Sequence, residues 1–325
     1  MGGDSIRDAL TMAAITASLQ VGGFLLPLVT AWASWRAPLV AIPALLLYAT
    51  TYFDGSEKST NRKRTWPGFS RNFFLLRFMR NYFPQRVHVP EGFPALKPVR
   101  EGEAAQQYLF AIHPHGCMSE FRLLMDAQFL EQLPGLGNKQ VCWLAASVLF
   151  RLPLIREICL WTGCVDASRA VAEKMLQAGH SVGVIPGGEH EQLLTTYGQD
   201  IVFAKKRSGF VKLALRHGVP LVPCYVFGVS DLHRTSKFLI GLRMALVKHL
   251  HIAIPLCFGA YGIPAAPFKR PVDVVLGQPL RFEKCADPTP ERLAAAHEEY
   301  LSALQKLFDD NKAKFGFGSR SLILQ

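Results

Sequence analysis

The chain has 325 residues, of which 50% are hydrophobic and 19% are charged, with a mean hydropathy of +0.16. This composition excludes an intrinsically disordered chain, and the absence of heptad runs, Gly-x-y repeats and dense cysteines excludes a coiled coil, a collagen and a small disulfide scaffold. The net charge of +11 indicates a polyanionic partner, which leaves nucleic acid, a phospholipid surface and a phosphorylated cofactor open at this point.

Residues 1–60 are predicted to form an N-terminal hydrophobic helical hairpin in a membrane. The segments 9–35 and 37–53 carry no charged side chain, and Arg36 separates them. The first run has the ~20 residues that a helix needs to cross the hydrocarbon core, and the second is near the lower limit. Prolines are expected to kink these helices: Pro27, Pro38 and Pro43. Aromatic residues are placed like interfacial anchors: Trp32, Trp35, Tyr48 and Tyr52. A spanning hairpin, a re-entrant wedge and the less favoured buried hairpin of a soluble protein remain open.

Residues 61–105 are predicted to form a basic, amphipathic connector at the membrane surface. Nine basic side chains and one acidic side chain, Glu91, lie between residues 61 and 100, as expected for a cytoplasmic flank. A helix is predicted from 69 to 83, and Pro84 ends it. Its apolar residues fall on one stripe: Phe69, Phe73, Leu76 and Tyr82 or Phe83. The pattern predicts either an interfacial helix or a helix packed on the core with a basic rim.

Residues 106–325 are predicted to form one α/β domain. Short apolar runs predict buried strands at 107–112, 181–185, 219–227 and 272–276. Helices are predicted at 167–178 and 210–217, each closed by glycine, and a longer helix opens at Thr289-Pro290 and runs to about Lys314. This alternation predicts a mostly parallel sheet flanked by helices. Seven cysteines without a C-x-x-C pair favour a reduced, cytosol-facing body.

Two turns at the ends of predicted strands carry candidate chemistry. In the first, residues 112–116 (Ile-His-Pro-His-Gly), an imidazole beside a glycine can act as a general base. In the second, residues 186–191 (Pro-Gly-Gly-Glu-His-Glu), Gly187 and Gly188 can present backbone N–H groups to a phosphate or an oxyanion, with carboxylates beside His190. An ordinary structural turn would also explain each pattern.

Other site chemistries are less well supported by the sequence. The basic run from Lys205 to Phe210 suits a phosphorylated cofactor, although such runs are more often solvated. A zinc site is disfavoured because its candidate ligands lack i,i+4 or C-x-x-C spacing: His113, His115, Cys117 and His190. A serine hydrolase is less favoured, because the G-x-S-x-G pattern at residues 179–183 stands at the start of the strand predicted at 181–185, whereas a nucleophile elbow follows a strand. The residues alone therefore predict a membrane-anchored α/β protein whose site suits attack of an alcohol on an activated acyl group.

An ordered series of motifs resembles the diacylglycerol acyltransferase type 2 family, which includes monoacylglycerol and wax-alcohol acyltransferases. The series comprises Tyr82-Phe83-Pro84, His113-Pro-His-Gly116, Phe150-Arg-Leu-Pro-Leu-Ile-Arg156, Pro186-Gly-Gly-x-x-Glu191, Arg207-x-Gly-Phe-Val-Lys-Leu-Ala214, Leu221-Val-Pro223, Phe227-Gly228 and Lys269-Arg-Pro271. It extends from about residue 82 to 316, and the hairpin resembles the family's anchor. The resemblance implies a glycerolipid-acyltransferase-like α/β fold.

The resemblance also implies an activity and residue roles. A fatty acyl group would pass from acyl-CoA, a substrate rather than a cofactor, to an acylglycerol, with diacylglycerol favoured over monoacylglycerol or a wax alcohol. His115 would be the general base, His113 and Gly116 would shape its turn, and Glu191, or alternatively Glu120, would orient the imidazole. Substrate contacts are assigned to a further set: Tyr82, Phe83, Pro84, Gly116, Gly187, Gly188, Arg207, Gly209 and Phe210.

Two positions depart from the family pattern. Val229 stands where the family usually has Glu or Gln, so that Asp231 is a candidate replacement. Glu120 lies five residues after His115, which resembles the H-x-x-x-x-D dyad of the wider glycerolipid acyltransferases, a dyad that this family generally lacks. Expected partners are acyl-CoA, the acceptor and a phospholipid membrane, but not nucleic acid, and a homo-oligomer remains open. The expected location is the endoplasmic reticulum membrane, with the catalytic domain facing the cytosol, and lipid droplets as a further site. Rival interpretations are a non-catalytic lipid-droplet hairpin protein and a membrane-bound esterase.

Overall fold

The computed structural model of the chain describes residues 5–100, 103–137 and 141–325. The strands are β1 (Gln85–His88), β2 (Leu109–His113), β3 (Val141–Ala145), β4 (Cys164–Asp166), β5 (Ser181–Val184), β6 (Asp200–Val202), β7 (Leu221–Phe227), β8 (Arg234–Thr235), β9 (Cys257–Phe258), β10 (Val272–Leu276) and β11 (Leu322–Leu324). The helices are α1 (Ile6–Arg36), α2 (Pro38–Tyr52), α3 (Pro67–Asn72), α4 (Phe74–Tyr82), α5 (Glu120–Gln132), α6 (Ile155–Trp161), α7 (Arg169–Gln177), α8 (Gly188–Leu194), α9 (Gly209–His217), α10 (Ile240–Leu250) and α11 (Pro290–Asn311).

A seven-stranded sheet in the order β1-β10-β7-β2-β5-β3-β4 forms the centre of the fold. The five strands from β7 to β4 are parallel, whereas β10 is antiparallel to β7 and β1 is parallel to β10. The predicted α/β class with a mostly parallel sheet and flanking helices is therefore confirmed. In such a sheet, the crevice at the carboxyl ends of the parallel strands is the usual place for a site.

Helices cover both faces of the sheet, so β2 is buried along its whole length. Alternate residues of a strand point to opposite faces: Leu109 and Ala111 join a core with α7, α9 and α11, while Phe110 and Ile112 join a core with α1 and α3 to α6. Burial on both faces explains why the predicted strands appear in the sequence as continuous apolar runs rather than as alternating patterns.

The apolar stripe from residue 69 to 83 packs into the core. This agrees with the prediction of a core-packed helix with a basic rim, rather than that of an interfacial helix. Phe69, Leu76 and Tyr82 are buried. The predicted single helix is broken at Phe73, whose ψ of 126° is extended, so that α3 and α4 are separate helices. Near the end of the chain, the prediction at Thr289 is confirmed, because its side chain accepts a hydrogen bond from the N–H of Arg292 at 3.3 Å and caps α11.

The N-terminal hairpin stands partly away from the body. The first half of α1 is buried at Ala9 and Met12, whereas its second half is largely exposed and α2 has no buried residue. Both helices continue through Pro27 and Pro43, and Pro38 begins α2. Within the described residues, the segment 38–58 is long and apolar enough to cross a membrane, and it is not buried. The exposed apolar arms do not fit the buried hairpin of a soluble protein.

Residues 48–57 and 151–157, which we call the hairpin base, join α2 to α6. The Tyr48 hydroxyl donates to Oε2 of Glu157 at 2.5 Å. The guanidinium of Arg156 is buried and lies 2.6 Å from Oδ1 of Asp54, 3.1 Å from Oε2 of Glu57 and 3.1 Å from Oε1 of Glu157. Three carboxylates around one buried cation hold the returning arm of the hairpin against the body.

Candidate active site

The sequence motif at residues 113–116, which we call the histidine turn, begins at the carboxyl end of β2, in the middle of the parallel strands. The bond between His113 and Pro114 is cis. Gly116 has a φ of +69°, and a Cβ at this position would collide with Cγ2 of Val229. Both the backbone conformation and the space therefore require glycine. Val229, the departure from the family pattern, forms the buried floor under the turn.

The two histidines of the turn lie in opposite environments. The ring of His113 is fully buried beside Phe210 and Tyr300, with centroid distances of 6.5 Å and 6.1 Å, and neither ring nitrogen has a hydrogen-bond partner among the described residues. Burial lowers the pKa of His113 to about 3, so this ring is neutral. His113 therefore packs against the core that β2 shares with α7, α9 and α11.

His115 is half-buried and its ring is held by neighbours on the same turn. Nδ1 lies 3.0 Å from the carbonyl oxygen of Gly116, and the hydroxyl of Ser119 lies 2.9 Å from Nδ1 and 3.0 Å from Nε2. A carbonyl can only accept, so the bond to Gly116 places the proton on Nδ1 and leaves the lone pair of Nε2 available. Burial lowers the pKa of His115, while the Gly116 carbonyl and the charge of Glu120 act in the opposite direction. A neutral imidazole with an unprotonated Nε2 is what a general base requires.

Glu191 contacts the main chain of the histidine turn instead of the imidazole. Its carboxylate is buried and accepts hydrogen bonds from the N–H of His115 and, at 2.8 Å, from the N–H of Phe203. Burial raises the pKa of Glu191 to about 7, although these two N–H donors and the charge of Arg207 oppose the shift. Gly187 has no side chain because a Cβ there would collide with the Glu191 carboxylate. The structure thus places Glu191 as a clamp on the turn.

Glu120 is directed to a histidine that the sequence analysis did not identify. Its Oε1 lies 2.5 Å from Nε2 of His233, and both side chains are buried. Burial alone would lower the pKa of His233, but the Glu120 carboxylate and the Cys257 thiol raise it to about 10, so the two side chains form an ion pair. The echo of H-x-x-x-x-D is therefore an internal salt bridge beside the turn. Neither carboxylate proposed to orient the ring makes a hydrogen bond to it among the contacts of the described residues; Gly116 and Ser119 do.

The remaining predicted site residues are spread over several environments. Tyr82 and Phe83 are buried in the core, and the Tyr82 hydroxyl donates to the carbonyl of Pro267 at 2.8 Å. The carbonyl of Pro84 accepts from the N–H of Val272 at 2.9 Å. These contacts join α4 to the edge of the sheet. A role for these three residues at the active-site entrance stays a prediction.

The second glycine turn and the basic run are adjacent to the histidine turn through Glu191 and Phe210. Gly188 begins α8 with a φ of +51°, and its N–H donates to the carbonyl of Ile185 at 3.2 Å. Phe210 is buried beside His113, whereas Arg207 and Gly209 are exposed at the start of α9. An oxyanion contact from the glycine pair and substrate contacts of Arg207 and Gly209 stay predictions.

Asp231 belongs to a separate ion-pair cluster. Its Oδ2 lies 2.7 Å from the guanidinium of Arg320, and its Oδ1 accepts from the N–H of Gly198 at 3.0 Å. Arg320 also lies 3.3 Å from Asp200. These partners fix the C-terminal segment beside β6, so the structure does not bring Asp231 to the histidine turn as a replacement for a polar residue at position 229.

A surface cleft of about 700 Å³ lies away from the histidine turn. It is bordered by α11 and the C-terminal strand, and its lining includes Lys205, His297 and Lys306. None of the turn residues lines it. Within the part of the chain that the structure describes, no group of three or more His, Cys, Asp or Glu side chains is arranged to hold a metal ion.

Comparisons with known proteins agree on one family. The family model for diacylglycerol acyltransferase matches residues 35–325. Diacylglycerol O-acyltransferase 2 of Homo sapiens is 30% identical over 292 residues, covering 84% of this chain and 71% of that protein. Acyl-CoA wax alcohol acyltransferase 2 of Mus musculus is 33% identical over 248 residues, covering 70% and 73%, respectively. 2-Acylglycerol O-acyltransferase 1 of Bos taurus is 29% identical over 292 residues, covering 84% of this chain and 82% of that protein.

Among solved structures, the 1-acyl-sn-glycerophosphate acyltransferase PlsC from Thermotoga maritima covers 88% of this chain and 95% of that chain, with a TM-score of 0.41 and 16% identity. This similarity is too low to carry an argument.

Proposed function

Because the chain belongs to the diacylglycerol acyltransferase family and is an acyltransferase, we propose that it transfers a fatty acyl group from acyl-CoA to the free hydroxyl of diacylglycerol. The product is triacylglycerol. The observation that supports this chemistry is the half-buried His115, whose Nδ1 is bonded to the Gly116 carbonyl and whose Nε2 is free to accept a proton. Membership of the family sets aside the rival interpretation of a non-catalytic hairpin protein.

The proposed reaction needs one base and one activated acyl donor. Nε2 of His115 takes the proton of the acceptor hydroxyl while that oxygen attacks the thioester carbonyl carbon. The carbon–sulfur bond then breaks, and the coenzyme A thiolate leaves and takes the proton from the imidazolium. A placed general base typically contributes about 10²–10⁴-fold in rate. The Ser119 hydroxyl, 3.0 Å from Nε2, marks a position from which an alcohol can donate to this nitrogen.

The surroundings of His115 support the proposed role because they keep the imidazole neutral and fixed. Glu191 holds the N–H of His115, and Gly116 lets the chain turn over Val229. Preorganised geometry of this kind reduces the cost of orienting the reacting groups. In the same proposal, the exposed run Lys205–Arg207 at the start of α9 contacts the phosphates of acyl-CoA.

The acceptor is tested by supplying labelled acyl-CoA and a panel of acceptors to membranes that contain the full chain. Diacylglycerol, monoacylglycerol and a long-chain alcohol are compared, and the products are separated by thin-layer chromatography. We expect labelled triacylglycerol to dominate. Dominant diacylglycerol or wax ester would reassign the acceptor within the family. Release of free fatty acid without any acceptor would support the esterase interpretation and contradict the proposal.

The hairpin is proposed to enter the endoplasmic reticulum membrane from the cytosolic side without crossing it. The exposed part of α1, from residue 25 to Arg36, has a length of about 18 Å at 1.5 Å per residue, and the 15 residues of α2 extend about 22 Å. The hydrocarbon core is about 30 Å thick. Because both arms rejoin the body at the hairpin base, they reach past the middle of the bilayer at most. This supports the re-entrant wedge over the spanning hairpin.

Glycosylation mapping tests this topology. An acceptor sequence for N-glycosylation is inserted at Ala37, between the two arms. A re-entrant hairpin leaves this position unmodified, and a spanning hairpin brings it into the lumen, where it would be glycosylated. The same insert in a luminal reporter protein confirms that the acceptor sequence functions.

A further inference from the structure

Helix α10 has no distinct polar face, and yet six of its 11 residues are exposed and four more are half-buried. Arg243 is the one buried residue among the 11 residues of this helix. Leu242 and Leu250 are 58% and 56% exposed, and Phe238 and Leu239, which precede the helix, are 67% and 54% exposed. A helix without a polar face is normally buried in a protein core or in lipid, because exposed apolar surface is unfavourable in water.

The charge of the surrounding segment identifies what covers this helix. Between Asp231 and Asp273 the sequence has no acidic residue. Exposed basic side chains lie beside these apolar residues in the chain: Lys237 precedes Phe238, and Lys248 lies in α10 two residues before Leu250. Exposed apolar side chains bordered by cations are complementary to an anionic phospholipid surface, where the chains enter the acyl boundary and the cations meet the headgroups.

Arg243 holds the helix in a fixed position. Its guanidinium donates to the carbonyl of Ser236 at 2.5 Å and to the carbonyl of Ile254 at 3.2 Å. These residues precede and follow α10, so one buried cation fastens both ends of the segment beneath the helix. The exposed leucines therefore lie on a helix whose position is fixed by the hydrogen bonds of Arg243.

Helix α10 lies at the same edge of the sheet as the histidine turn and the hairpin base. Helix α10 packs against α8, the helix that carries Glu191, and Nδ1 of His251 lies 3.8 Å from Oε2 of Glu189. Helix α8 follows the carboxyl end of β5, and the hairpin base uses residues 151–157, which follow the carboxyl end of β3. Because β5 and β3 are parallel neighbours, both elements leave the same edge of the sheet.

We propose that α10, together with Phe238 and Leu239, is a second membrane contact that rests in the headgroup region of an anionic leaflet. The hairpin and α10 then give the protein two contacts with the bilayer, both at the carboxyl edge of the sheet. With two contacts, the carboxyl edge of the sheet faces the lipid in which an apolar acceptor is dissolved. The relation to the acceptor rests on the proposed function, whereas the lipid contact itself does not.

Fluorescence quenching by spin-labelled lipids tests the contact in the full chain. Cys285, the one cysteine of the chain that is not buried, is first replaced by serine. A single cysteine is then introduced by Leu242→Cys, and the protein is labelled with an environment-sensitive dye. The vesicles contain phosphatidylcholine and one-fifth phosphatidylserine, with doxyl groups on the acyl chains. Leu46→Cys, on the exposed α2, is the positive control, and Ser302→Cys, on the exposed side of α11, is the aqueous control.

We expect the dye at position 242 to shift to shorter wavelength and to be quenched by doxyl lipids at least about twofold more than the dye at 302. Lys237→Glu combined with Lys248→Glu should reduce quenching at 242 in phosphatidylserine vesicles and leave quenching at 46 unchanged. Equal quenching at 242 and 302, with strong quenching at 46, would overturn the proposal while leaving the hairpin and the acyltransferase activity intact. Protection of 242 from aqueous iodide without lipid quenching would also overturn it, because a second copy or another protein would then cover the helix.

Discussion

At the hairpin base the buried Arg156 guanidinium contacts the carboxylates of Asp54, Glu57 and Glu157, whereas at the histidine turn the buried Glu191 carboxylate contacts main-chain N–H groups. At the hairpin base, the positive charge of the guanidinium and the negative charges of the carboxylates compensate each other. The histidine turn leaves a carboxyl group that titrates near neutrality and a ring nitrogen that is free to accept a proton. The comparison teaches that the hairpin base is built for stability, while the histidine turn keeps the uncompensated groups on which the proposed function depends.

The largest effect is expected from His115→Ala, which removes the proposed base. Acyl transfer should fall by about 10²–10⁴-fold, because a placed base contributes this factor, while the melting temperature stays close to that of the wild type. Activity is measured with labelled acyl-CoA in membranes. His217→Ala, at the end of α9, is the matched control and should retain its activity. Retention of most activity by His115→Ala would contradict the assignment.

Arg156→Ala should give the opposite result at the hairpin base. Removal of one partner from a buried ion network leaves uncompensated charge and costs about 3–5 kcal/mol of unfolding free energy. Denaturant unfolding in detergent measures this loss, and protease cleavage near residues 48–57 should become faster. The neighbouring exposed Arg151→Ala should change stability by less than about 0.5 kcal/mol. If Arg156→Ala abolished turnover without loss of stability, the comparison between the two regions would fail.

Glu191→Gln tests the pKa of the clamp through stability. Because the folded pKa of about 7 lies above the ordinary value of 4.5, the folded protein binds more protons between pH 4.5 and 7. The raised pKa of Glu191 adds about 3 kcal/mol to the unfolding free energy below pH 4.5. This stabilisation is lost as the pH rises through 7. The variant lacks this titration. Its unfolding free energy should fall less between pH 5 and pH 8 than that of the wild type.

The control for Glu191→Gln is the exposed Glu299→Gln, which should retain the wild-type dependence on pH. Identical pH dependence of Glu191→Gln and the wild type would show that Glu191 does not titrate in this range.

The smallest effect is expected from loss of the Ser119 hydroxyl. One hydrogen bond is worth about 0.5–1.5 kcal/mol, so Ser119→Ala should lower kcat by less than about tenfold and shift the pH profile that reports on His115. Ser119 has a φ of +52°, so Ser119→Gly removes the same hydroxyl but relieves the backbone. Both variants should lose similar activity, with Ser119→Gly the more stable of the two. A loss as large as that of His115→Ala, together with a labelled acyl-serine in the wild type, would instead make Ser119 a nucleophile.

The sequence was sufficient to predict the fold class and the strands that carry the two turns, whereas the contacts that require glycine at 116 and 187 were not predicted. The predicted features depend on local patterns: apolar runs, turn residues and caps. The contacts of the carboxylates were not predictable in the same way. Glu191 faces a main-chain N–H and Glu120 faces His233, which lies 113 positions away. No spacing rule connects such partners, because the packing of α5 against the segment after β7 creates the contact.

The partner of the imidazole was missed for a related reason. Ser119 lies four residues after His115, and it reaches the ring because the chain is left-handed at Gly116 and again at Ser119. Glycine permits the first of these conformations, but neither was predicted from the sequence, and a serine gives no sign of the second. The break at Phe73 is similar: the apolar stripe continues through it, so the periodicity of side chains did not reveal the change in the backbone.

The re-entrant topology that we propose for the short hairpin arms has a consequence for where such a protein can travel. A wedge whose arms end near the bilayer midplane meets one layer of headgroups, and its tip needs no water or polar groups on the far side. The phospholipid monolayer that covers a body of stored oil offers the same environment: headgroups outside and hydrocarbon below. A protein anchored in this way can diffuse from a bilayer onto an attached oil droplet, whereas a protein with a polar segment beyond the second layer is retained.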